Sequence, residues 1–201
     1  MRLFTAIEIP AEVKDNLRAL LESIRPMAKL NWSPVENLHI TTKFIGEWPD
    51  ARLPELKQTL AEVPFSSGIN IAIQGLGWFP NPKQPRVFWA GVVADESLAA
   101  LAVATDQATA TIGVPVEKRV YSPHLTLARL KDRPPLERLR EAIAKLPSSD
   151  FGSVHFGSFR AESFFLYLSA GGKYTKLATF ASYTGVGARL NQTSGSAPVK
   201  L

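Results

Sequence analysis

The chain repeats itself. Two stretches each read as strand, helix, histidine-bearing strand, helix, strand, at a nearly constant offset. His39 and His124 are 85 residues apart, Phe4 and Phe88 are 84, and Leu53 and Leu136, like Ile71 and Val154, are 83. Duplication of such a unit restricts the chain to a two-lobed α+β architecture with one shared cleft. The expected arrangement is a single bilobal domain over residues 1–189, with pseudo-repeats of about 3–76 and 87–160.

The elements follow from hydrophobic periodicity. Residues 3–9 alternate and read as a strand, closed by Pro10. Val13, Leu17, Leu20, Leu21 and Ile24 fall on one helical face before Pro26. Residues 38–44 and 69–73 read as strands on either side of a helix carrying Leu53, Leu56, Leu60 and Val63. In the second copy, strands are expected at 87–93, 123–130 and 154–159. Its helices are expected at 95–112 and along Leu136, Leu139, Ile143 and Leu146. Two further strands, 164–168 and 174–180, lie beyond the repeat. The stretch 75–85 holds three prolines and two glycines and reads as a long loop. Residues 190–201 are small and polar and read as a mobile tail.

Composition excludes more than it identifies. Among 201 residues there is no cysteine, so no disulfide, thiolate nucleophile or cysteine metal site is available. This fits a reducing cytoplasm. Glu8 interrupts the apolar run that a secretory leader needs. No run approaches the roughly 18 apolar residues that span a bilayer. A net charge of +5 favours a polyanionic partner such as nucleic acid.

Of three histidines, two stand in matched contexts. One strand contains His39-Ile40-Thr41 and the other His124-Leu125-Thr126. Positions i and i+2 of a strand share a face, so each histidine lies beside its threonine. With 12 threonines in the chain, two such matches arise by chance on the order of 1% of the time. Two histidines facing each other can remove one proton and deliver another near neutrality. The threonine hydroxyls can donate to an anionic oxygen between them, which suits in-line displacement at phosphorus. A metal site is the rival reading, and it lacks a third ligand, because catalytic zinc usually takes three protein ligands. His155 aligns with Ala72 in the repeat and reads as a surface or structural residue.

Several blocks occur in order: Arg2-Leu3-Phe4-Thr5-Ala6-Ile7, Trp32-Ser33-Pro34-Val35-Glu36-Asn37-Leu38-His39-Ile40-Thr41-Thr42-Lys43-Phe44-Ile45-Gly46, Arg86-Val87-Phe88-Trp89, Ser122-Pro123-His124-Leu125-Thr126-Leu127-Ala128-Arg129 and Gly171-Gly172-Lys173-Tyr174. Over residues 1–183 the chain resembles the RNA 2′,3′-cyclic phosphodiesterases, also called 2′-5′ RNA ligases, of the 2H phosphoesterase superfamily. Thr42 departs from the pattern, where leucine is common. The resemblance implies two antiparallel sheets forming a V, with helices outside and both histidines at the floor. It implies hydrolysis of a terminal 2′,3′-cyclic phosphate to a 2′-phosphate with no metal or other cofactor. It makes His39 the acid and His124 the base, and gives Thr41 and Thr126 the phosphate oxygens. It gives Phe44 the terminal base and Arg129 a phosphate.

Strand alternation alone turns Phe44 and Arg129 away from the histidine face, so a bulge or strand end must redirect them. Trp32, Trp78, Phe79 and Trp89 offer faces for base stacking, or else pack in the core. The core is the better expectation for Trp89, and exposure the better one for Trp78 and Phe79 in their loop. Lys43, Arg86, Lys118, Arg119, Arg129 and Lys173 form either a basic rim or a scattered solvated surface. Lys43, Trp32 and Tyr174 are the added substrate-binding candidates. The expected partner is RNA with cyclic phosphate ends, such as transfer-RNA fragments, or a small cyclic nucleotide. The protein is expected to be monomeric and away from membranes. The same acid–base pair run backwards would ligate a 5′-hydroxyl, and a binder of phosphorylated RNA ends without turnover is the non-catalytic alternative.

Overall fold

The computed structural model describes residues 1–65, 68–131, 133–147 and 153–181; the expected tail at 190–201 lies outside them. The first sheet contains β1 (Arg2–Glu8), β3 (His39–Glu47), β8 (Ser163–Ala170) and β9 (Lys173–Ala181), in the order β3-β1-β8-β9. The second contains β2 (Asn31–Trp32), β4 (Ile69–Phe79), β5 (Val87–Ala94), β6 (His124–Arg129) and β7 (His155–Ala161), in the order β2-β6-β5-β4-β7. Every pairing is antiparallel. Among the described residues four α-helices accompany them: α1 (Ala11–Ile24), α2 (Leu53–Ala61), α3 (Glu96–Ala110) and α4 (Glu137–Ala144). The α+β class and the two antiparallel sheets are as expected. Among the described residues no helix is long and apolar enough to cross a membrane.

The helices form where the apolar stripes predict. Val13, Leu17, Leu20, Leu21 and Ile24 are all buried on α1. Asp95 caps α3 by accepting from the Ser97 amide at 2.9 Å, satisfying one of the orphan donors of the first turn. The helices exchange sheets. α1 packs on β7, where Asn16 Nδ2 donates to the Phe156 carbonyl at 2.9 Å, and α3 packs on β3 and α2. One apolar core, including Leu17, Ile40, Leu56, Phe88, Leu125 and Phe164, runs through both sheets.

The sheets do not divide at the repeat boundary. β4, from the first copy, pairs with β5 of the second. β8, from beyond the repeat, pairs with β1. The expected match of Ile71 with Val154 therefore joins neighbours: β4 and β7 are hydrogen-bonded to each other in one sheet. The counterpart of β4 beside β5 is β8 beside β1. The match of Phe4 with Phe88 is also one residue out. Phe88 is fully buried in the main core, whereas Phe4 packs with Ala6 and Tyr167 in a small separate cluster. Register pairs Phe4 with Phe44 and Val87 with Arg129, so the correct offset here is 83, and a one-residue slip exchanges the two faces.

The expected loop at 75–85 is half strand. β4 bulges between Ile73 and Leu76, where Gly75 takes φ +73, then continues to Phe79 in register with Val87. Glycines in a strand bend it without ending it. All three prolines fall after Phe79, in the turn closed by the Arg86 amide bonding to the Phe79 carbonyl at 2.6 Å.

Candidate active site

His39 and His124 are the first residues of β3 and β6. Each ring is held by the carbonyl two residues earlier. Nδ1 of His39 donates to Asn37 O at 2.6 Å, and Nδ1 of His124 to Ser122 O at 2.8 Å. A carbonyl only accepts, so Nδ1 carries the hydrogen and Nε2 keeps a lone pair in the neutral ring. Burial lowers the pKa of both histidines below the ordinary value, while the carbonyl bonds oppose it. The positive charge of His124 further lowers His39, and that of Arg129 lowers both. Strands β3 and β6, which carry the two histidines, contact each other.

Thr41 and Thr126 lie on the histidine faces of their strands, half-buried like the histidines. Among the described residues neither hydroxyl has a hydrogen-bond partner. The bulges required for Phe44 and Arg129 are present. Thr5 pairs with Lys43 and Ala6 with Thr41, leaving Thr42 as the extra residue. Phe88 pairs with Ala128 and Trp89 with Thr126, leaving Leu127 as the extra residue. Both strands accordingly show two successive buried residues before an exposed one, Phe44 or Arg129. Phe44 is 57% exposed, and Arg129 has no ion-pair partner among the described residues.

Aromatic rings flank each histidine. Phe4 lies 4.7 Å from His39, and Tyr174 meets its edge at 5.2 Å. Phe79 packs edge-on to His124 at 5.0 Å and lies 5.1 Å from Trp89. Tyr174 therefore lies against His39, and Trp89, expected in the core, occupies the Thr126 face of β5 outside it. The Trp78–Phe79 pair splits, because neighbours in a strand face opposite ways. Trp78 packs on core Phe88 at 4.5 Å and Phe79 covers His124. Sequence reasoning misses Phe79, which packs on His124, as a site residue, and Tyr121, whose hydroxyl donates to the Thr41 carbonyl at 3.0 Å, as a residue bonded to the His39 strand. Extending β4 through the glycines would find Phe79; no motif marks Tyr121.

Two substrate-binding candidates belong elsewhere. Lys43 is buried, ion-paired with Asp106 and bonded to the Pro115 carbonyl at 2.6 Å, so its charge is not available to a phosphate. The bulge that exposes Phe44 turns Lys43 inward. Trp32 donates Nε1 to the Ala28 carbonyl at 3.2 Å and packs edge-on to core Phe88 at 6.1 Å. Of the other basic residues, Arg86 donates to the Lys131 carbonyl and Arg119 pairs with Glu117. His155 is exposed on β7, with Nε2 at 3.1 Å from the Ser158 hydroxyl. Among the described residues no three His, Cys, Asp or Glu gather as a metal-binding set.

Two histidine–threonine strands in a two-sheet α+β fold, with Arg129 free of ion pairs among the described residues, have the make-up of a phosphoesterase of the two-histidine class. The model of the family described as LigT like phosphoesterase matches residues 7–89 and 92–164, and the chain belongs to that family. It is 35% identical over 170 residues to the RNA 2′,3′-cyclic phosphodiesterase of Methanocaldococcus jannaschii, covering 84% of this chain and 91% of that protein. It is 31% identical over 160 residues to the protein of the same name from Archaeoglobus fulgidus, covering 80% and 89%. The crystal structure of TT0787 of Thermus thermophilus superposes with a TM-score of 0.72 at 28% identity, covering 90% of this chain and 97% of the other. Escherichia coli LigT complexed with 3′-AMP shares the fold, with a TM-score of 0.69 at 24% identity and coverage of 90% and 97%.

Proposed function

We propose that this protein hydrolyses 2′,3′-cyclic phosphates at RNA ends to 2′-phosphates. The single observation that carries the reading is the matched anchoring of two histidines by their Nδ1 atoms, which leaves two Nε2 atoms for proton transfer. The names of the relatives support the substrate class. His124 takes a proton from water as its oxygen attacks phosphorus. The bond from phosphorus to O3′ breaks in line, and His39 delivers its proton to that leaving oxygen. Thr41, Thr126 and Arg129 supply donors and positive charge to the phosphate oxygens, whose charge rises in the transition state. Phe44 and Tyr174 offer faces to the terminal base. Repulsion between two imidazolium rings disfavours double protonation, so the singly protonated pair, one acid and one base, is the reacting form.

The test is turnover of an oligonucleotide ending in a 2′,3′-cyclic phosphate, in the presence of chelator, with the product position assigned. A 2′-phosphate product is expected, and His39→Ala and His124→Ala should each lower kcat by about 10²–10⁴-fold. Full activity in either variant overturns its proposed role. Tight, salt-dependent binding of such ends without turnover favours the non-catalytic alternative.

A further inference from the structure

Lys43 and Ala128 occupy equivalent register positions after the two bulges, opposite Thr5 and Phe88 respectively. One copy places a methyl group in the core at this point and the other a charge. A buried charge is unfavourable unless it is paired and hydrogen-bonded. Lys43 has both: its side chain is 5% exposed, it pairs with Asp106 of α3, and it donates to the Pro115 carbonyl at 2.6 Å. Asp106 also accepts from the Glu117 amide at 3.1 Å. The pair thus ties the strand of His39 to the start of the segment that runs from α3 to β6. The far end of that segment is tied to the same strand, where the half-buried Tyr121 donates its hydroxyl to the Thr41 carbonyl at 3.0 Å. The next residue, Ser122, provides the carbonyl that orients His124.

We propose that Lys43, Asp106 and Tyr121 form a clamp that sets the spacing and relative orientation of His39 and His124. They are positioning residues: Lys43 pairs with Asp106 and bonds to the Pro115 carbonyl, Tyr121 bonds to the Thr41 carbonyl, and they act through the two histidine strands. The segment 115–121 is gripped at both ends by β3, so the carbonyl that orients one histidine is referenced to the strand carrying the other. In a reaction needing acid and base on opposite sides of one phosphorus, a displacement near 1 Å costs about 10²-fold in rate.

This rests on the phosphodiesterase reading only for its kinetic arm. The double variant Lys43→Met with Asp106→Leu removes both charges at similar volume, so the core stays filled. Its kcat on a cyclic-phosphate oligonucleotide should fall at least about tenfold while KM stays within about threefold. The second arm is an NMR titration of the imidazoles in the unliganded protein, where the coupling between His39 and His124 should weaken and their two transitions draw together. That arm reads the clamp even if the native protein turns over no cyclic phosphate, so the two failures are distinguishable. Tyr121→Phe, which deletes a single oxygen, should move both readings the same way and serves if the double variant fails to fold. A merely structural role would lower the melting temperature and leave the kcat and the titrations unchanged below it. That outcome in a folded variant overturns the clamp.

Discussion

A buried imidazole resists protonation, and a second positive charge nearby resists it further. Both apply to His39 and His124, whose pKa values lie below the ordinary value of about 6.5. The singly protonated pair is therefore most populated on the acid side of pH 6.5 in the free protein. The profile of kcat/KM should be a bell centred there, set by both rings. Arg129→Gln removes a charge that disfavours both imidazolium forms, so both pKa values rise and the bell moves to higher pH, alongside a loss of rate. A bell that stays in place or moves to lower pH contradicts the assigned electrostatics. The same depression has a sign for stability. The unfolded chain binds more protons than the folded one as pH falls through 6.5, so these two groups contribute stability above that pH and lose it below.

Strands and their irregularities decide which residues reach the cleft. Without Thr42 and Leu127 as extra residues, alternation would bury Phe44 and Arg129. Glycine serves the neighbouring hairpin. Trp89 lies across Gly77, and a Cβ there would approach the indole within 2.2 Å. Gly77→Ala should therefore destabilise the protein by about 1–3 kcal/mol through overpacking, read from urea unfolding, and should displace Trp89 from beneath Phe79. Unchanged stability with unchanged tryptophan fluorescence would show that the hairpin absorbs the methyl group.

At the scale of the molecule, neither copy is a unit of folding. The first copy lends β4 to the second sheet, and the first sheet is completed by β8 and β9. Chain separated between β4 and β5 should leave each fragment with an unpaired strand edge and an uncovered apolar face, because α1 and α3 also pack across. Fragments 1–83 and 84–201 should each lack a cooperative thermal transition and should regain one, with activity, when mixed. A cooperative transition in either fragment alone would refute this account of the core.

The repeated pattern alone determined the class, the helix faces and the two histidine–threonine pairs, because period and spacing are local properties of a chain. Lys43 and Trp89 show where that stops. Lys43 sits between two site residues in sequence, yet a bulge turns it into the core toward Asp106. Trp89 sits in an apolar strand, yet the register of β5 against β6 places it beside Thr126. Tyr121 carries no motif and acquires meaning only from its bond to Thr41. Strand order, register and helix exchange depend on pairings between residues far apart in sequence. Only the tertiary structure decides them, because the free energy of each face depends on what the rest of the chain brings to cover it.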